Sequence, residues 1–130
     1  LPIYGKKLVV SHSHITNNFS TLIDIDNKKI NELTPKDIEN QDNLRQSIIW
    51  NRDFSKKTED EYFNIFGHTM SIYFRYRFGL DLDENHIHRD MEKGFIGIDT
   101  GIYINHYKEA GKLTAIKFPS LNVIQQVRID

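Results

Sequence analysis

Two of the six histidines stand where a short apolar run stops. His12 follows Lys6-Lys7-Leu8-Val9-Val10-Ser11, and His68 follows the run Tyr62 to Phe66 through one glycine, Gly67. A third apolar run, Phe95 to Ile98, ends in Asp99-Thr100-Gly101. Imidazole nitrogen is a borderline ligand suited to zinc, manganese and iron, and a side chain just past a rigid strand is positioned without a packed shell of its own. Layered α/β folds gather their sites at strand ends. A glycine ahead of His68 lets the backbone turn tightly and a ligand come close. On spacing alone two readings stay open for the two histidines: a metal site, or two hydrogen-bonded side chains near the surface.

The elements that must carry these residues follow from pattern. Lys6 to Ser11 and Tyr62 to Phe66 read as buried strands. Residues 16 to 40 are rich in Asn, Asp, Thr and Lys and read as a long surface connection. Thr34 before Pro35 reads as an N-cap followed by proline in the first turn, which starts a helix over 35–50 with a break near Asn40. The stretch Ile72 to Phe78 alternates, with Ile72, Phe74, Tyr76 and Phe78 on one face, and predicts a half-buried strand. Lys112 to Phe118 and Val123 to Ile129 predict a β-hairpin. The whole is an α+β or layered α/β arrangement in a single domain.

Composition narrows the function classes. With 17 basic and 18 acidic residues, no overall charge draws the chain to nucleic acid or anionic membrane. Tyr73, Arg75 and Arg77 could stack bases beside phosphates, but a strand with one buried aromatic face gives the same letters. No cysteine is present, which excludes disulfides and thiolate zinc sites and suits a reducing cytoplasm. No apolar stretch is long enough to span a bilayer. The opening Leu1-Pro2-Ile3 lacks a leader and an initiator methionine, so the chain is read as processed or as a piece of a longer product.

Two rival sites have simpler explanations. Asp81, Asp83, Asn85 and Glu92 fall on positions 1, 3, 5 and 12 of a calcium loop, yet His86 replaces the template's glycine, and a solvated acidic loop accounts for them. His86 and His88 form a His-x-His pair that sits among charges and is expected to be exposed.

Five segments taken in order, VSHSHI at 10–15, WNRDF at 50–54, FGHT at 66–69, GIDTG at 97–101 and GKLTAIKFP at 111–119, resemble the second half of calcineurin-like metallophosphoesterases. The likeness is to phage- and bacterial-type serine/threonine protein phosphatases and the related symmetrical diadenosine tetraphosphatases. It implies a central β-sandwich flanked by helices, with two divalent cations (manganese, iron or zinc) at the strand ends of the complete domain, which this half alone is not expected to hold. It also implies that His12 and His68 are metal ligands, that Arg52 holds the substrate phosphate as a planar bidentate donor, and that Asp99 supports the site by shape and hydrogen bonding. In that family the two metals activate a bridging hydroxide for attack on phosphorus.

The sequence departs from the pattern in three ways. His14 stands where glycine is common, so it is expected to crowd or tune the site. The stretch 70–93 is longer than usual and reads as an insertion that could set specificity. The first-half motifs Gly-Asp-x-His-Gly, Gly-Asp-x-x-Asp-Arg-Gly and Gly-Asn-His-Glu are absent. The expectation is therefore the C-terminal half of such a domain, inactive alone, with open strand edges where the missing half packs or where the chain self-associates. Its substrate would be a phosphorylated protein or nucleotide. The alternatives are a non-catalytic interaction module built on the same fold and a fragment of a dinucleoside polyphosphate hydrolase.

Overall fold

A computed structural model of the chain describes residues 2–3, 5–16, 19–104, 107 and 110–129, with backbone alone at 2, 3, 30 and 42. In chain order the elements are β1 (Pro2–Ile3), β2 (Lys6–Ser11), α1 (Phe19–Asp26), α2 (Pro35–Trp50), β3 (Tyr62–Phe66), α3 (Ser71–Tyr76), β4 (His88–Asp90), β5 (Phe95–Gly97), β6 (Lys112–Lys117) and β7 (Asn122–Val127). A 3-10 turn covers Ile30–Glu32.

The first five strands form one mixed sheet in the order β1-β2-β3-β5-β4. Its centre is parallel: Leu8 lies beside Phe63, Val10 beside Ile65, and Ile65 beside Ile96. The two edge strands run antiparallel to their neighbours. Every residue of β3 is buried, as expected of a central parallel strand covered on both faces. On one face Phe63, Ile65 and Ile96 pack with Ile87 and Leu121 and with Ile116, Phe118 and Val123 of the β6-β7 hairpin and its turn. On the other, Phe66 and Phe95 pack with Phe54 and Phe74 in an aromatic cluster beneath α3. The molecule is thus mixed α/β in layers: helices, sheet, hairpin.

Gly97 is the position where this packing leaves no room. A Cβ there would lie 2.9 Å from Phe74 Cζ and 3.0 Å from Cε2, so the glycine lets the phenylalanine ring lie flat on β5. His88, opposite Gly97 across the β4-β5 ladder, stacks on the same ring with centroids 4.7 Å apart.

Three expectations are corrected here. The alternating stretch 72–78 is not a strand; α3 occupies Ser71–Tyr76, with Ser71, Ile72 and Phe74 buried and Tyr73 and Tyr76 exposed. Phe74 and Phe78 are four residues apart, a helical spacing, and both reach the aromatic cluster, so tertiary packing outweighs the strand propensity of the letters. Residues 16–40 are not merely a surface connection, because α1 buries Leu22 and Ile25 beside α2. No break occurs near Asn40: α2 is continuous, and it starts as read, with Thr34 Oγ1 accepting the Asp37 N–H and Asp37 accepting the Thr34 N–H.

The sheet is open on one side. β1 pairs with β2 only at Lys6 and Lys7, and among the described residues no strand covers the edge of β2 opposite β3 from Leu8 onward. Val10, on the face that carries Ile65, is 72% exposed, which marks where the hairpin layer stops short of β2. The outward faces of the hairpin expose Leu113 and Ile124 as well. No helix is long and apolar enough to cross a membrane among the described residues.

Candidate functional site

Because β2, β3 and β5 are parallel, their C-terminal ends lie along one edge of the sheet, and the segments leaving them are Ser11-His12, Gly67-His68 and Ile98-Asp99. The Gly67 N–H donates to the His12 carbonyl at 3.2 Å, which ties the first two loops together. His12 Nε2 and His68 Nδ1 are 2.9 Å apart, with ring centroids 4.6 Å apart. His68 is the middle residue of a three-residue turn closed by the Thr69 N–H on the Gly67 carbonyl at 2.6 Å, and its φ is +59°. A side chain other than glycine is uncommon in this left-handed region, and such strain concentrates at functional sites. The other ring nitrogen of His68, Nε2, is buried without a hydrogen-bond partner among the described residues. The indole of Trp50 meets the His68 ring edge-on at 5.3 Å.

The loop after His12 is fastened to the end of α2. The Ser13 N–H and Oγ–H both donate to the Ile48 carbonyl, at 2.9 and 2.6 Å. The Asn51 N–H donates to Ser13 Oγ at 3.1 Å, and Asn51 Nδ2 donates to the His14 carbonyl at 2.7 Å. This clamp fixes where α2 stops and hence where Trp50 and Arg52 stand relative to His12. Arg52 is exposed and has neither hydrogen bond nor ion pair among the described residues. Asp99 holds the third loop: its carbonyl accepts the Ser71 N–H at 2.7 Å and the Ser71 hydroxyl at 3.0 Å, and its Oδ1 accepts the Gly101 N–H at 2.9 Å.

Charge around the pair is consistent with these positions. Burial holds the His68 imidazole below its ordinary range, the nearby Arg52 and His12 push it further down, and Asp99 opposes them. His68 is thereby biased towards the neutral ring, the form that binds metal.

The structure places the remaining predicted residues elsewhere. His14 is not beside the pair; it is wholly buried against Phe95, Phe66 and Phe54, at centroid distances of 4.3, 5.4 and 5.9 Å, with Nε2 3.3 Å from Thr58 Oγ1. Desolvation pushes its pKa down to about 4. His88, expected to be exposed, is buried on Phe74, and its Nδ1 donates to the Asp81 carbonyl at 2.7 Å. The calcium-like residues shape a turn. Asp83 Oδ1 accepts the Asn85 and Ile87 N–H groups, and its Oδ2 pairs with Arg89 at 2.6 Å.

Can these residues hold metal? With metal–nitrogen bonds of about 2.0–2.1 Å, nitrogens 2.9 Å apart match two neighbouring ligands about 90° apart on one ion, and the same distance is that of a hydrogen bond. The unpartnered Nε2 of His68 is a further donor without an assignment. Among the described residues no group of three or more His, Cys, Asp or Glu is placed to hold an ion. The pair supplies part of one coordination sphere.

Sequence reasoning missed the supports. Asn64, wholly buried, accepts the Ile15 N–H through Oδ1 at 3.0 Å and donates through Nδ2 to Ser11 Oγ at 2.8 Å, bracketing His12. Its signal was available as the single polar letter in the apolar run Tyr62 to Phe66, since a buried amide must be paired. Ser13 gave no such signal. No family model, curated protein or solved structure matches this chain.

Proposed function

We propose that this chain forms the C-terminal part of a metal-dependent phosphoester hydrolase of the calcineurin-like kind, most similar to serine/threonine protein phosphatases and working in the cytoplasm. The observation that carries the reading is the meeting of His12 and His68 at the ends of two adjacent parallel strands, 2.9 Å apart, from positions that the resemblance assigns to metal ligands. Two others support it. Arg52 is a cation without a partner among the described residues and lies near His68, as a phosphate-holding residue must. The open edge of β2, with Val10 exposed, is a surface on which a segment supplying the absent motifs would seat. In this reading the remaining ligands of a two-metal centre come from that segment, and the chain alone is inactive.

The test is calorimetric titration with Mn2+ and with Zn2+. One ion per chain is expected, and binding is lost in His12→Ala and in His68→Ala. Binding of the same strength in both variants rejects the assignment; if the unmodified chain holds no ion, the same titration of a longer polypeptide carrying the first-half motifs and of its His12→Ala and His68→Ala variants decides it. That longer polypeptide should hydrolyse p-nitrophenyl phosphate with manganese, and His68→Ala should abolish this. The exposed Leu113 and Ile124 favour a second reading, a non-catalytic interaction module. That reading predicts partner binding that neither histidine substitution alters.

A further inference from the structure

Beyond Arg52 the surface opens into a groove of about 390 Å3. This volume falls in the range of small-ligand sites, about 300–1,000 Å3. Its walls are Phe54, Phe78 and Leu80, with Arg52 at one rim and Lys93 at another; Asp53 and Ser55 also line it, and the Asp53 carboxylate is taken up by the Ser55 N–H and hydroxyl and by Lys56 at 3.3 Å. The walls are built by packing that the rest of the fold fixes. Phe54 belongs to the aromatic cluster, and Phe78 meets it edge-to-face at 5.2 Å and 77°. Gly79, at φ +66°, reverses the chain after α3, and the Leu80 N–H then donates to the Phe74 carbonyl at 2.7 Å, which brings Leu80 back against the cluster.

The two cations at the rim are not equivalent. The Lys93 ammonium is neutralised by Asp90 at 3.2 Å and donates to the Phe54 carbonyl at 3.2 Å. Arg52 has neither kind of partner among the described residues. The groove therefore has one end with charge to offer and a floor that is aromatic and aliphatic. A ligand complementary to it carries its anion at one end and an apolar body at the other. A flat ring suits these walls better than an alkyl chain, because it can pair with the half-buried ring of Phe78, behind which Phe54 is buried.

We infer that this groove receives the ring of an aryl phosphate monoester whose phosphate is held by Arg52, so that the site takes phosphate on an aromatic hydroxyl, as in a phosphorylated tyrosine side chain. The inference rests on the reading of Arg52 as the phosphate-holding residue. It departs from the serine/threonine preference of that reading in the group attached to the phosphate, which is aromatic here.

The test is an NMR titration of the chain with 2-naphthyl phosphate, n-hexyl phosphate and inorganic phosphate. The naphthyl ester is expected to bind about tenfold more tightly than inorganic phosphate and about threefold more tightly than the hexyl ester. Leu80→Ser and Phe78→Ala should each bring the naphthyl ester close to inorganic phosphate while leaving inorganic phosphate binding as it was, and Arg52→Gln should weaken all three ligands. Equal binding of the two esters overturns the aromatic assignment. An advantage for the naphthyl ester that survives in both wall variants, or no advantage at all, overturns the groove while the role of Arg52 stands. If none of the three ligands binds, Arg52 does not hold phosphate, and the groove's assignment falls with it.

Discussion

Asn64 Oδ1 accepts the Ile15 backbone N–H at 3.0 Å, a bond between the middle of the central strand and the loop that carries His12. The same amide reaches Ser11 on the other side of the histidine. His12 is therefore held from both flanks by one side chain. Replacing Asn64 with Leu leaves a buried N–H without an acceptor and is expected to cost about 1–3 kcal/mol. It should also separate the His12 and His68 rings. Urea unfolding gives the first effect, and the loss of the NOE between the two rings gives the second; an intact NOE would mean that Asn64 serves stability alone.

The burial of His14 makes stability depend on pH in a definite direction. Its folded pKa is about 4, against 6.5 in the unfolded chain, so between these values the unfolded state binds more protons. Stability is full above pH 6.5 and is lost as pH falls towards 4, by about 3 kcal/mol for this residue. Asp37, held down to about 2 mainly by the Thr34 backbone N–H, titrates below that window. Urea midpoints measured from pH 7 to pH 4.5 should fall steadily in the unmodified chain and much less in His14→Leu. An unchanged slope in the variant would assign the effect to other groups.

Arg52 offers the opposite separation. Because it is exposed and unpaired among the described residues, Arg52→Gln should change stability by no more than about 0.5 kcal/mol. Phosphate affinity should nevertheless fall by about tenfold or more, since a charge-assisted bidentate contact is lost. Comparing the thermal midpoint with a phosphate titration on the same sample checks both halves of the statement. A large shift in midpoint would show that the arginine holds the fold.

Gly97→Ala tests the contact between β5 and α3. The new Cβ would stand 2.9 Å from a Phe74 carbon, closer than packing allows, and the ring cannot retreat because His88 is stacked on it and Phe54 lies 4.5 Å away between centroids. A loss of about 1–3 kcal/mol is expected. Relief by a second change, Phe74→Leu, would tie the cost to this contact; additive losses would place it elsewhere.

The parts of the fold that the sequence made legible are those in which local letters and tertiary environment agree. Lys6 to Ser11 and Tyr62 to Phe66 are apolar runs and become parallel strands; Thr34-Pro35 is a helix start both in letters and in hydrogen bonds. The positions of His12, His68 and Asp99 followed from the same agreement, because strand ends can be read from where apolar runs stop. What was lost depended on distant partners. His14 and His88 carry polar letters, and Phe54, Phe66, Phe74 and Phe95, none of them adjacent in sequence, bury them. Period-two spacing over Ile72 to Phe78 hid a four-residue spacing between Phe74 and Phe78, and nothing local decides between them. In α1, the buried Leu22 and Ile25 are separated by Ile23 and Asp24, so the letters do not mark which face is covered.

The clamp from Ser13 onto Ile48 and Asn51 grips α2 at its last turn rather than along its length. The helix is thus phased from its C-terminal end. Adding or removing one residue of the last helical turn, between Ile48 and Asn51, would rotate Asn51 by about 100° and shift it by about 1.5 Å out of the clamp, carrying Arg52 with it. The same change near Pro35 would be absorbed in the connection before the helix, where Thr34 re-forms its cap one position over or gives it up. Length variation in this molecule should therefore be tolerated upstream of α2 and forbidden in the few residues between Ile48 and Arg52, a pattern that random insertion libraries scored for metal binding can read directly.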